Sequence, residues 1–220
     1  MFEVYDSKGN LQLSATNNSY YEYVESLTVT TKYPDSYTSP YAGLPKKPDS
    51  NILDLVFFKP QIYTTAVSYV AMDTSHSHGV WCYAPSTVQT ARFRPYTPAP
   101  KSGGLELFDS TGVKVYGADK PLLHLRSVVK IRDIADKKWY SMPPSQVIPN
   151  PSGTNLMCCL LSPTALVVHS YNNYYPGIVQ DGLKDMGSHF LLEPMQLVET
   201  AADIGYTHYA GGCVLIADVI

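Results

Sequence analysis

The sequence has little charge, no long apolar run and no cluster of basic residues. Only 16% of its 220 residues are Asp, Glu, Lys or Arg, whereas about a quarter is usual in soluble domains. The 16 Lys and Arg are scattered and the net charge is −3, which argues against a nucleic-acid-binding surface. The longest apolar stretch, residues 156–169, is broken by Ser162-Pro163 and is too short to span a bilayer. We therefore expect neither nucleic-acid binding nor membrane insertion.

The N-terminus also lacks the features of a secretory signal. Residues 1–6 contain neither a basic start nor the beginning of an apolar core, so a soluble protein made in a cytosol is expected. The four cysteines, Cys82, Cys158, Cys159 and Cys213, fit that compartment. Cys158 and Cys159 are adjacent and would point to opposite faces of a strand, so we predict buried free thiols rather than disulfides or metal ligands.

No recognisable catalytic motif is present. The chain contains no Gly-x-Ser-x-Gly elbow and no glycine-rich phosphate loop that opens a helix. His76 and His78 are the only close histidine pair and could offer two imidazoles to a metal, but no second motif supplies the remaining ligands of a zinc site. An exposed turn over residues 73–79 is the preferred interpretation. The sequence predicts no catalytic residue, no cofactor and no metal, and thus no enzyme.

The clearest positive feature is a duplicated segment. Residues 2–9, FEVYDSKG, return as residues 105–112, LELFDSTG, with four identities in eight positions. Each copy places an apolar stretch before an Asp-Ser-x-Gly turn and a second apolar stretch after it. The Asp or Ser can accept from backbone N–H groups, and the Gly provides the positive φ of a tight turn. The pattern predicts two copies of one β-hairpin.

Composition predicts the fold class. The 18 Tyr suit pleated, half-buried surfaces, and the 17 Pro with 14 Gly suit many short connections. We therefore predict an all-β protein of two related β-sandwich-like domains with few or short helices. The Pro- and Gly-rich segment 94–104 directly precedes the second hairpin copy and is the best candidate linker. The predicted domains are residues 1–100 and residues 101–220.

Alternation of apolar and polar residues predicts the positions of strands. Predicted strands cover residues 20–31, 51–58, 64–72, 79–83, 87–93, 122–134, 156–161, 165–169, 205–209 and 213–220. Residues 33–50 and 141–154 are rich in Pro and are predicted to be loops, residues 156–161 and 165–169 to be paired strands, and residues 181–200 to allow a short helix. The apolar C-terminal stretch must pair inside a sheet or be covered by a partner.

Aromatic clusters in predicted connections are the candidate interaction surface. The favoured one is Tyr171, Asn172, Asn173, Tyr174 and Tyr175, because Tyr offers large contact area at low rotamer cost while Asn adapts its hydrogen bonds. Such a loop could contact saccharide faces or another protein. The alternative is that tyrosines of this kind, including those at 20–23, cover sheet edges and pack locally.

The duplicated segments at 2–9 and 105–112, together with the Pro- and Tyr-rich loops, resemble small tail proteins of long-tailed bacteriophages. The resemblance implies a virion structural component, made in the bacterial cytoplasm, that decorates or joins the tail tip and its fibres. It also implies a symmetric oligomeric assembly with other tail proteins. A receptor- or carbohydrate-binding module at the same tail tip, using the loop of residues 171–175, is the alternative function.

Overall fold

The computed structural model describes residues 3–5, 11–14, 20–33, 39–45, 54–68, 76–97, 105–117, 121–132, 145–151, 156–161, 165–168, 177–199 and 212–218. All regular secondary structure in these ranges is β-strand. The strands, in chain order, are β1 Glu3–Tyr5, β2 Leu11–Ser14, β3 Tyr21–Thr30, β4 Tyr41–Pro45, β5 Leu55–Phe58, β6 Thr64–Ser68, β7 His76–Cys82, β8 Thr87–Pro95, β9 Glu106–Phe108, β10 Lys114–Gly117, β11 His124–Lys130, β12 Gln146–Pro149, β13 Leu156–Leu161, β14 Ala165–Val168, β15 Gly177–Asp185, β16 His189–Glu199 and β17 Cys213–Asp218. The predicted all-β class is confirmed.

Two large antiparallel sheets form the body of the protein. One has six strands in the order β11-β17-β13-β5-β8-β3, and the other runs β12-β16-β15-β6-β7-β4 with β14 paired to β15. Their facing sides share one apolar core, because Phe58, Cys158 and Ile216 of the six-stranded sheet pack in a cluster with Leu183 and Phe190 of the other. The hairpins β1–β2 and β9–β10 form two separate two-stranded sheets.

The two hairpins have the same register. Glu3 pairs with Ser14 and Tyr5 with Leu11, while Glu106 pairs with Gly117 and Phe108 with Lys114, so each partner lies 103 residues after its counterpart. Both ladders shift register at the equivalent place. In the first hairpin the shift lies between Val4 and Tyr5, and in the second it lies between Tyr116 and Lys114, which pair with Leu107 and Phe108. A shared bulge is a feature that related segments retain. The duplication predicted from the sequence is therefore present in the backbone pairing as well.

The equivalence extends through both large sheets. From the outer edge inwards, the first half contributes β3-β8-β5 to one sheet and β4-β7-β6 to the other; the second half contributes β11-β17-β13 and β12-β16-β15 in the corresponding order. The β3–β8 and β11–β17 ladders each shift register at one residue, between Tyr23 and Glu25 in one and between Leu125 and Ser127 in the other. Each half thus supplies three strands to the main path of each sheet in the same order, and the second half adds β14 beside β15.

The two halves join edge to edge in both sheets. Phe58 of β5 pairs with Cys158 of β13, and Thr64 of β6 pairs with Leu183 of β15. Because equivalent strands meet antiparallel, the contact has the character of a two-fold interface between identical subunits. Both sheets therefore run continuously through both halves. The division into domains 1–100 and 101–220, in the sense of units that fold separately, stays a prediction.

The two outer strands of the six-stranded sheet also meet each other at one end. The N–H of Tyr23 donates to the carbonyl of Pro121 at 2.9 Å, and the N–H of Leu123 donates to the carbonyl of Tyr21 at 2.8 Å. The register shifts of β3 and β11 follow directly after this contact. Beyond the crossing, β3 continues beside β8 and β11 beside β17.

A second apolar cluster lies on the other face of the six-stranded sheet. Phe57, Phe93, Cys159 and Leu215 are buried there, with Tyr23 and Leu123 packed against them. Cys158 belongs to the core between the sheets and Cys159 to this cluster, as alternation along a strand requires. The predicted placement of the two thiols on opposite faces is confirmed.

Several local expectations were wrong. Strands β4 and β12 lie within segments predicted as loops, residues 33–50 and 141–154, because Pro45 and Pro149 stand at strand ends, where a missing N–H is tolerated. The short helix allowed at residues 181–200 is strand β15 followed by strand β16. Strands β13 and β14 do not pair with each other, since β13 joins the six-stranded sheet and β14 pairs with β15.

The C-terminal stretch pairs inside a sheet. Strand β17 lies between β11 and β13 and its central residues Val214–Ala217 are buried, so that of the two predicted ways to protect it, internal pairing is the one used. The predicted strand over residues 205–209 lies outside the described residues.

Candidate functional site

The interaction loop favoured by the sequence, Tyr171, Asn172, Asn173, Tyr174 and Tyr175, lies outside the described residues. The two chain positions that flank it are described, because Val168 pairs with Gly177 where β14 meets β15. The role of this loop in binding therefore stays a prediction. The loop connects β14 to β15, two paired strands of the seven-stranded sheet.

The histidine pair does not lie in an exposed turn. His76 and His78 belong to the first residues of strand β7, opposite Pro45 and Leu44 of β4, so the expectation of a turn over residues 73–79 was wrong from His76 onward. Among the described residues, no group of three or more His, Cys, Asp or Glu side chains could hold a metal ion.

Several tyrosines that were candidates for recognition pack within the fold. The Tyr23 ring meets the edge of Phe93 at 5.8 Å between centroids, and the Tyr20 ring meets Tyr116 of the second hairpin at 6.1 Å. Tyr41 lies against Trp81 with ring centroids 4.6 Å apart. These tyrosines follow the packing alternative rather than the recognition alternative.

An exposed aromatic surface is formed instead by Tyr63 and Tyr83. Val80 and Cys82 of β7 are in the core between the sheets, so alternation directs Trp81 and Tyr83 to the outer face of the seven-stranded sheet. The N–H of Tyr83 donates to the carbonyl of Tyr63 at 2.9 Å. The two rings meet edge to face, 6.4 Å apart at 73°, and Tyr83 remains 68% exposed.

A lysine and a glutamate fix the Tyr63 ring. The Lys184 Nζ lies 5.5 Å from the centre of that ring, a cation–π distance. Burial, a hydrogen bond to Glu193 and the negative charge of Glu193 raise the pKa of Tyr63 to about 12. The hydroxyl therefore stays protonated near neutral pH and donates to the carboxylate, which holds the ring in place.

We call Tyr63, Tyr83, Lys184 and Glu193 the tyrosine surface. It is bordered by Leu191, which pairs with Lys184, and by Val147, which pairs with Leu191. The surface combines an exposed ring, one positive and one negative side chain and an apolar margin. Such a combination suits a contact surface for an amphipathic partner. The sequence did not suggest it, because Tyr63 and Tyr83 are isolated in the chain and are brought together only by the pairing of β6 with β7.

Buried ion pairs form the other polar feature of the described residues. Arg92 lies 3.2 Å from both Glu25 and Asp54, and Arg94 Nε donates to Glu22 at 2.6 Å. Glu22, Asp54 and Arg92 are buried. A buried carboxylate needs an opposite charge or hydrogen-bond donors to offset its lost hydration. The arrangement is structural in its chemistry, since each charge is met by an opposite one.

The four cysteines are free thiols, with Cys82, Cys158 and Cys159 buried and Cys213 half-buried. Burial raises the pKa of each, and that of Cys159 reaches about 12. A protonated thiol is a poor nucleophile and a poor metal ligand. The prediction of buried, unpaired thiols is confirmed for three of the four.

No protein-family model, no curated protein and no solved structure matches this chain. Within the described residues, no helix is both long and apolar enough to cross a membrane.

Proposed function

We propose that the protein is a structural component of a bacteriophage tail, which decorates or connects the tail tip or tail fibre through protein–protein interfaces. It is made in the host cytoplasm and incorporated into the virion tail with other tail proteins in a symmetric assembly. The likeness of segments 2–9 and 105–112 to small tail proteins supports this role. The proposal includes no catalytic step, no cofactor, no nucleic acid and no membrane insertion.

The observation that carries the proposal is the apolar surface of the second hairpin. Leu107 and Val115 are buried, while Leu105, Phe108 and Val113 on the same hairpin are each about half exposed or more. The hairpin is held to the body by Tyr116, which contacts Tyr20 and Tyr96. A small hairpin with three exposed apolar side chains is a typical contact element, because permanent assemblies bury apolar side chains at their interfaces.

The test uses incorporation into tails. Phe108→Asp combined with Val113→Asp should leave the fold intact, since both side chains are exposed, but should remove the chain from purified tails and from complexes with tail-fibre protein. Ser110→Asp, in the exposed turn of the same hairpin, adds a charge without removing an apolar contact and serves as the control. Wild-type incorporation of the double variant would contradict the proposal.

The second candidate function is a receptor- or carbohydrate-binding module at the tail tip. The tyrosine surface supports it, because an exposed Tyr83 beside Lys184 and Glu193 offers a stacking face and polar groups of both signs. In this function Tyr174→Ala with Tyr175→Ala abolishes attachment of the free protein to host cells or surface glycans. If the free protein ignores cells and glycans yet co-purifies with tail-fibre protein, the structural role is favoured.

A further inference from the structure

Equivalent strand pairs in the two halves contain ion pairs of opposite polarity. In the first half, Glu22 of β3 pairs with Arg94 of β8. In the second half, the corresponding ladder places His124 of β11 opposite Asp218 of β17, and Arg126 of β11 forms the ion pair with Asp218. The outer strand is thus acidic in one half and basic in the other, and the inner strand has the reverse charge.

The reversal lies beside the point where the two outer strands cross. Residues 21–23 are hydrogen-bonded to residues 121–123. The same residues of β3 pair with β8, whereas β11 pairs with β17 from His124 onward. Because the halves share topology and bulge positions, an exchange is geometrically available in which β3 lies beside β17 and β11 beside β8. The same exchange can occur between two copies of the chain, as in domain swapping. Backbone pairing alone does not distinguish the two arrangements.

The charges do distinguish them. In the exchanged ladders Glu22 faces Asp218, and His124 and Arg126 face Arg94, so that like charges meet across each strand pair. Glu25, which meets Arg92 in the native pairing, faces the fully buried Ile216 instead. A carboxylate against an apolar side chain loses its partner and its hydration together. The native arrangement has none of these penalties.

The fold itself does not require the buried charges. The positions of Glu25, Asp54 and Arg92 correspond in the second half to Ser127, Leu156 and Ile216. Leu156 and Ile216 belong to the apolar core, so the same backbone is closed there without an ion pair. Replacing buried ion pairs by apolar side chains is often neutral or stabilising, so that the charges at these three positions can serve partner selection rather than stability.

We propose that the reversed ion pairs Glu22–Arg94 and Arg126–Asp218 select strand partners: they direct β3 to β8 and β11 to β17 and disfavour exchange within and between chains. The selection acts while the outer strands dock, when the two equivalent sites compete. The ion pairs change the free-energy difference between the native and the exchanged pairing more than the stability of either one. Polar residues in coiled coils act in the same way.

The test reverses one pair and then both in the full-length chain. Glu22→Arg with Arg94→Asp keeps an ion pair in the first half but gives both halves the same polarity. After refolding from denaturant at increasing protein concentration, this variant should yield roughly fivefold more exchanged dimer than the wild type, because like-charge repulsion no longer opposes exchange. Size-exclusion chromatography with light scattering measures the dimer fraction. Reversing Lys114 and Glu106, an ion pair within the second hairpin, is the matched control and should refold like the wild type.

A second and a combined variant separate selection from damage. Arg126→Asp with Asp218→Arg alters the more exposed pair and should produce the same increase in dimer. Combining all four substitutions restores opposite polarity and should return the dimer fraction to the wild-type value. A wild-type dimer fraction in both two-residue variants would overturn the proposal, and so would a four-residue variant that shows the sum of the two defects.

Discussion

Phe57 tests whether the two halves unfold as one unit. Its side chain is fully buried on β5, the strand that joins the halves, and its ring meets Phe93 edge to face at 5.5 Å. Phe57→Ala removes most of a buried aromatic side chain from the second apolar cluster, which costs about 3–5 kcal/mol in well-packed sites. For a chain of this size we expect the melting temperature to fall by roughly 6–20 °C.

The position of Phe57 makes the pattern of unfolding informative. By strand pairing its counterpart in the second half is Cys159, which belongs to the same cluster. A cavity at this place therefore lies between the halves, and β8 and β17 should lose hydrogen-exchange protection together in a single denaturant transition. Phe108→Ala removes an aromatic ring that is 49% exposed and, as the control, should change stability by no more than about 0.5 kcal/mol. Loss of protection in β8 alone, with a two-step transition, would refute the reasoning and support separately folding domains 1–100 and 101–220.

Three further predictions concern single side chains. Because the pKa of Tyr63 is raised from 10.0 to about 12, its contribution to stability is complete below pH 10 and is lost as the pH rises towards 12; Tyr63→Phe should remove that decline in chemical denaturation, and an unchanged decline would contradict the assignment. Cys213 should be alkylated first among the four thiols and Cys159 only on unfolding, as mass spectrometry of labelled peptides would show, whereas equal rates would contradict the burial seen here. Gly112→Ala should destabilise the second hairpin by about 1–2 kcal/mol, because Gly112 has φ +81°. Gly182→Ala is the control and should be tolerated, since the added Cβ would make only ordinary contacts. Thermal unfolding of the two variants compares these effects.

The sequence predicted the parts of the fold that local patterns specify. Alternation identified β3, β8, β11, β13 and β17, and the repeated turn identified both hairpins. In the second of these, Asp109 accepts from the N–H of Thr111 at 2.8 Å and from that of Val113 at 2.9 Å, as the Asp-Ser-x-Gly pattern predicts. These contacts lie within a few residues and require no knowledge of the rest of the chain.

Features that depend on distant residues were missed. Strands β4 and β12 are short and flanked by Pro, and they are stabilised by β7 and β16 rather than by their own composition. The apolar and polar residues of strands β15 and β16 alternate irregularly, so the sequence allows a helix there. The long ladder between the two strands stabilises them as strands instead. The tyrosine surface was missed for the same reason, since strand pairing, not sequence proximity, brings Tyr63, Lys184 and Glu193 together.

The duplication allows side chains at equivalent positions of the same backbone to be compared between the two halves. On the outer strands, exposed Ser26 of β3 corresponds to exposed Val128 of β11. At this position the N-terminal half exposes the hydroxyl of Ser26, whereas the C-terminal half exposes the apolar side chain of Val128, a residue that is 59% exposed. An exposed apolar residue on the outer strand of a sheet is a liability unless it is covered in an assembly. If the exposed side chains of Val128, Phe108 and Val113 contact a partner, charged substitutions at these three positions should reduce assembly without loss of stability.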